Sequence, residues 1–193
     1  MSKITFIDKI DNKVSSLPDE NKLTAGDVNE IKNSVNYIYD DKGGFSNYED
    51  VNTLTNPIIL AADTWTNLTN DKQGTHTTEE FKPAYVENSL WDSGNNKIDL
   101  SDVPVGKVVL VKVDFEITDT SNNSLIDGRF TGGGHDVFFL QAEMKNGNIA
   151  HHFSGASMFY VEDVAMQSAG VSVQLKTSAN SEAQVHNIMI TIL

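Results

Sequence analysis

Two rhythms of apolar and polar residues run along this chain. In the first, Val28, Ile31, Val35 and Ile38 recur at spacings of three, four and three. That spacing draws one narrow apolar seam down a helix, the seam of a coiled coil. Thr24 is a good N-cap, Asp27 stands where a capping-box carboxylate reaches back, and Leu23 and Val28 are placed as a hydrophobic staple. Gly43-Gly44 then supplies the left-handed residue that helix ends favour. The pattern predicts a short coiled-coil helix over 23–42. Its seam residues are all β-branched, which favours three or four strands over two. About two heptads are too few to hold a helix in water unaided, so the seam faces either two further copies or the chain's own β domain.

The second rhythm starts near Asn56. Short apolar runs alternate with polar residues and are separated by Gly, Asn, Asp and Ser. The clearest is 107–118, where Val109, Val111, Val113, Phe115 and Ile117 alternate with Leu110, Lys112, Asp114 and Glu116. This predicts a strand with one buried face. In 137–144, Phe138, Leu140, Ala142 and Met144 fall on one face, and Val137, Phe139, Gln141 and Glu143 on the other. Asn146-Gly147 is a hairpin signal, with the return strand at 149–153. Further strands are expected at 58–60, 64–68, 97–100, 125–130, 157–161, 171–177 and 184–192, with no helix among them. About ten short strands of this kind predict a mainly β chain, a C-terminal jelly-roll sandwich. Ahead of it stand an extended arm and one short trimerising helix.

The domain plan is therefore an anchoring arm at 1–22, the helix at 23–42, a linker at 43–55 and the head at 56–193. The arm is expected because Asp8, Asp11, Asn12 and Lys13 interrupt Ile4, Phe6 and Ile10; such a segment orders only against a partner. Phe138-Phe139 and Met158-Phe159-Tyr160 put large apolar side chains on both faces of their strands. A sheet facing water would carry polar residues there. Phe139 and Phe159 are thus expected, with Val28, Ile31, Val35 and Ile38, at a trimer interface, unless loops of the same chain cover them.

Composition narrows the functions. The formal net charge is −13, from 27 acidic and 14 basic side chains, and Arg129 is the single arginine. No basic face is available to neutralise phosphates, which excludes a nucleic-acid binder. No apolar run is long enough to cross a bilayer, and residues 1–12 lack the continuous apolar stretch of a secretory signal. Cysteine is absent, which removes disulfides and thiolate metal sites.

Candidate chemistry is sparse. The histidines are His76, His135, His151, His152 and His186. Adjacent His151 and His152 would point to opposite faces of a strand and cannot share one metal, although one histidine on a threefold axis would supply three ligands. Solvent-exposed or hydrogen-bonded imidazoles are the expectation. Gly132-Gly133-Gly134-His135-Asp136 lacks the lysine and the strand-to-helix setting of a phosphate loop and is expected to be a mobile loop. Asp92, Asp99, Asp102 and Asp119 lack EF-hand spacing and are expected to be solvated loop carboxylates. No nucleophile elbow is present. The chain is expected to be no enzyme and to carry no cofactor or metal.

Asn-Pro-Ile-Ile-Leu, Thr-Trp-Thr-Asn-Leu-Thr-Asn-Asp and Thr-His-Thr within 56–77 resemble the first strands of jelly-roll domains in tailed-phage fibres and other virion proteins. Residues 90–100, 106–117 and 185–193 are similar to them too, and such domains resemble the trimeric heads of tumour necrosis factor and of the complement recognition subunit. The segment 23–39, with Asn29-Glu30-Ile31-Lys32, is similar to short helices near the N-termini of phage structural proteins. The resemblance implies a homotrimeric head or tail fibre or spike in the virion, assembled in the host cytoplasm. It implies that the arm contacts capsid or tail proteins and that the head serves decoration or attachment to a host glycan or protein. No long shaft joins arm to head, so the fibre would be stubby or one segment of a larger assembly. Ser121, Asn122, Asn123, Asn146, Gly147 and Asn148 are the expected distal binding loops. The alternative is a secreted bacterial lectin-like or cytokine-like jelly-roll binding module.

Overall fold

A computed structural model describes residues 25–40 and 42–193. They fall into two units divided between Lys42 and Gly43. The expected arm at 1–22 lies outside the described residues, as do Leu23 and Thr24. In the first unit, α1 (Ala25–Asp40) is the expected helix.

The second unit is an antiparallel sandwich of two sheets, the jelly-roll architecture expected from the sequence. The first sheet contains β1 (Gly44–Glu49), β2 (Ile58–Leu60), β6 (Val108–Asp119), β9 (Ala150–Tyr160) and β11 (Ser181–Ile192). Its order is β1-β11-β6-β9, with β2 also on β11. The second contains β3 (Thr66–Asn67), β4 (Trp91–Asp92), β5 (Lys97–Ile98), β7 (Ser124–Gly132), β8 (His135–Met144) and β10 (Val171–Thr177). Its order is β4-β5-β10-β7-β8, with β3 on β10. The core lies between them. Val109, Val111, Val113, Phe115 and Ile117 all point into it, as their alternation predicts. They meet Ile126, Phe130, Val173 and Leu175 of the second sheet and Val185, Ile188, Ile190 and Ile192 of β11 in one buried cluster.

Several expectations are corrected. Residues 43–55 are no linker. β1 pairs residue for residue with β11 from Gly44–Ile192 to Glu49–Asn187, and α2 (Asn52–Thr55) follows it. The inward positions here are Ser46 and Tyr48 of β1 and Asp50 just after it, residues with polar groups that a hydrophobic pattern overlooks. Tyr48 and Asp50 are buried with their polar atoms bonded, while the Ser46 hydroxyl is buried without a partner. Tyr48 Oη accepts from Leu90 N at 2.8 Å, and Asp50 Oδ2 accepts from Thr53 N at 2.7 Å. Gly44 opens this strand rather than closing α1; a Cβ there would stand 2.3 Å from the Phe81 carbonyl oxygen.

Asn146-Gly147 joins no hairpin, since β8 pairs with β7 and β9 with β6, in different sheets. The tight hairpin is instead Gly133-Gly134, with φ of 59° and 85°, between the paired Gly132 and His135. The expected mobile loop at 132–136 is thus a two-residue turn. The two strands expected at 149–153 and 157–161 are one, β9. The expected absence of helices also fails: α3 (Val164–Ala169) is capped by Asp163, whose side chain accepts from Met166 N at 2.7 Å.

A bulge revises the faces of β8. Its register with β7 shifts between Gly128 and Arg129, leaving Phe139 as the extra residue. Val137 and Phe139 point inward before the bulge, and Leu140, Ala142 and Met144 after it. Phe139 fills the space that Gly128 and Gly155 leave; a Cβ at either would lie 2.5–2.6 Å from its ring.

Candidate functional site

The expected interface residues separate on inspection. Phe139 and Phe159 are buried within the single chain, with ring centroids 4.6 and 6.0 Å from that of Phe130. They are core residues and the expectation that they line an interface is corrected. The side chains beside them point out: Phe138 is 57% exposed, Met158 61% and Tyr160 55%. On α1, Ile31 is 57% exposed and Val35 43%, while Val28 is half-buried. The side chain of Ile38 lies outside the described residues.

Register shows what surrounds Met158 and Tyr160. Tyr160 stands opposite Val108, and Met158 opposite Leu110. Leu110 in turn faces Thr191, which faces Phe45. Phe45 stacks on Phe81 at 5.2 Å. Lys112 and Met189 form the next row. One end of the outer face of the first sheet is therefore a mainly apolar patch crossing four strands, interrupted by Thr191 and bordered by Lys112.

The other end carries different chemistry. Glu116 on β6 stands directly opposite His152 on β9, with His152 Nε2 2.9 Å from Glu116 Oε2. In an unbroken ladder residue 186 of β11 would stand opposite Asp114. A bulge puts Asn187 there and leaves His186 as the extra residue, drawn back toward Glu116. His186 Nε2 lies 4.0 Å from Glu116 Oε2, and the two imidazoles stack at 5.8 Å. Among the described residues, these three are the group of histidines and carboxylates close enough to share an ion. Spacing in the sequence gave no sign of it, because the ligands come from three strands and one depends on a bulge.

The six expected loop residues do come together. The loops after β6 and β8 both cross from one sheet to the other at the same end of the sandwich. Asn122 Oδ1 accepts from Gly147 N at 2.7 Å, and Lys145 O accepts from Asn123 N at 3.3 Å. Buried Asp119 anchors both: its carbonyl accepts from Asn148 N at 2.6 Å, and its carboxylate from Ser121 N at 2.8 Å and from the Ser124 hydroxyl. Ser121, Asn122, Asn123, Asn146 and Asn148 are exposed on this braced tip, a surface of amides and hydroxyls suited to hydrogen bonding. Of the acidic residues in the other loops, Asp92 is spent on its own turn. Asp92 accepts from Asn95 Nδ2 and from the backbone N–H groups of Gly94 and Asn95, and these bonds hold its carboxyl below the usual range. Asp102 instead braces a different segment, accepting from Glu87 N and Asn88 N.

No family model matches this sequence and no curated protein matches it. Among solved structures the chain is similar to murine APRIL at pH 8.0, with a TM-score of 0.45 and 11% identity, over 79% of this chain and 100% of that one. It is similar to Eiger TNF from S. frugiperda, with a TM-score of 0.43 and 13% identity, over 78% and 91%. The PRD1 vertex protein P5 gives a TM-score of 0.36 and 15% identity, over 77% and 94%. With TM-scores below 0.5, these likenesses assign the chain no partner and no role.

Proposed function

We propose that this chain is a non-enzymatic structural protein of a virion, a homotrimeric fibre or spike whose head serves decoration or attachment. The observation that carries self-association is the apolar patch on the outer face of the first sheet, with Met158 and Tyr160 more than half exposed at its edge. Monomeric proteins rarely leave large apolar side chains contiguous on an open sheet face. The exposed seam residues Ile31 and Val35 add a second adhesive element, and their β-branched pattern favours three chains. The virion setting draws on the resemblance of residues 56–77, 90–100, 106–117 and 185–193 to phage jelly-roll domains. The arm at 1–22 would contact the capsid or tail. The tip formed by Ser121, Asn122, Asn123, Asn146, Gly147 and Asn148 would face outward, offering amide and hydroxyl groups to a glycan or protein.

Light scattering tests the oligomer: the mass should be close to three times the 21.2 kDa of one chain. A stable monomer at micromolar concentration removes the proposal. Val35→Asp should remove the contribution of α1 to the helical signal in circular dichroism and keep the β signal, because so short a helix has little stability of its own. A glycan array with the full chain tests the tip.

A further inference from the structure

We propose that Glu116, His152 and His186 form a binding site for one divalent transition-metal ion of the zinc class on the outer face of the first sheet. Two imidazoles and one carboxylate are a donor set that zinc takes up, with a fourth position open to water. The three ligand atoms already lie within 4.8 Å of one another. A tetrahedral ion needs them roughly 3.4 Å apart, from metal–ligand bonds near 2.1 Å. Small rotations close that gap, and His152 at 72% exposure is free to make one.

Two features point to an ion rather than to a chance grouping. His186 Nε2 is covered from solvent and has no hydrogen-bond partner. A covered polar nitrogen without a partner is unfavourable, and an ion would satisfy it. The bulge in β11 is the second. It interrupts the long ladder between β6 and β11 at the one residue that completes the set, and bulges of this kind serve to re-aim a side chain. The backbone of three adjacent hydrogen-bonded strands then fixes the spacing of all three ligands. To bind, His152 must offer the lone pair of Nε2 to the ion, with the proton of the neutral ring carried on Nδ1. All ligands come from one chain, so the site does not depend on the self-association proposed above.

The test is calorimetric titration of the untagged full-length chain, stripped with chelator, with zinc chloride. One ion should bind per chain, at micromolar affinity or tighter. Glu116→Gln, His152→Ala and His186→Ala should each weaken binding at least tenfold with the far-ultraviolet circular dichroism unchanged. His135→Ala, which removes a histidine outside the group, should leave affinity within twofold. Cobalt(II) should give visible ligand-field bands in the parent chain that His152→Ala abolishes. The site is overturned by a titration with no saturable binding near one ion per chain. It is equally overturned if His152→Ala or Glu116→Gln binds zinc like the parent. His152 is 72% exposed and Glu116 lies outside the buried core, so these two positions decide the matter even if His186→Ala disturbs the bulge and fails to fold.

Discussion

On the outer face of the second sheet, Arg129, Lys176, Asp127 and Asp136 find partners on their own chain. Arg129 donates to Gln174 Oε1 at 2.9 Å and to Asp136 at 2.6 Å, and lies 4.1 Å above the Trp65 ring. Lys176 pairs with Asp127 at 3.2 Å and also stands over Trp65, at 4.9 Å. Gln141 donates to the same Asp127 at 3.1 Å. The outer face of the first sheet is organised otherwise. One end presents Met158, Tyr160, Leu110 and Met189, and the other leaves His186 Nε2 without a partner. On the second sheet these polar groups are paired within the chain, although Phe138 and Leu125 are exposed on it as well. A face of apolar rows and an unpartnered nitrogen is finished only by something else. The two sheets share one core, so this difference was set by residues that the core does not need.

The comparison can be broken at four points. Phe139→Ala should have the largest effect on stability, since it empties the space between Gly128 and Gly155 inside the sandwich. A loss of about 3–5 kcal/mol is expected in chemical denaturation, with the oligomeric mass unchanged; a change of mass at full fold would return Phe139 to an interface. Met158→Asp should do the reverse. It places a carboxylate in the apolar patch, weakening association by about 3 kcal/mol or more, roughly a hundredfold, while the fold of each chain stays within about 0.5 kcal/mol. Light scattering on a dilution series reads that directly, and an undiminished mass would show that the patch is a solvent face after all.

Tyr48 tests the edge where β1 meets the loop before β4. Burial pushes its phenol up to about 12 from an ordinary value of 10.0. The folded state therefore favours the neutral form. Its contribution is full below pH 10 and is lost as pH rises through about 12, so stability should fall across that window. Tyr48→Phe should flatten the alkaline slope and lower stability at neutral pH by about 1–3 kcal/mol, because Leu90 N loses its acceptor. An unchanged slope would mean that Tyr48 does not govern it. The smallest effect is expected for Arg129→Ala on the paired face. Loss of the Trp65 stack and the Asp136 pair should lower stability by about 1 kcal/mol or less, with no change in mass or in zinc binding.

How legible these features were depends on what carries them. The sandwich was legible because β6, β10 and β11 alternate with period two, and burial of one face of a pleated strand imposes that period on sequence. Ile58–Leu60 and Val171–Thr177 fall where the pattern put them. β1 was not legible, since its inward residues carry polar groups, and Tyr48 and the neighbouring Asp50 are bonded only by Leu90, Thr53 and other distant or loop residues. The six tip residues were expected as distal loops of the head, yet Asp119, which holds the two loops together, was taken for a solvated carboxylate.

By itself, the sequence determined the class of fold, the helix with its apolar seam, the core of β6 and the presence of large side chains on both faces of β8 and β9. These follow from local periodicity, which each strand carries whatever it pairs with. Which of two neighbouring aromatics faces inward was decided by tertiary structure, through the bulge at Phe139. So was the meeting of Glu116, His152 and His186, residues up to seventy positions apart in the chain. Strand order and a single extra residue in β11 put them together. Both depend on pairing between distant segments, and pairing leaves no mark in the rhythm of either segment alone.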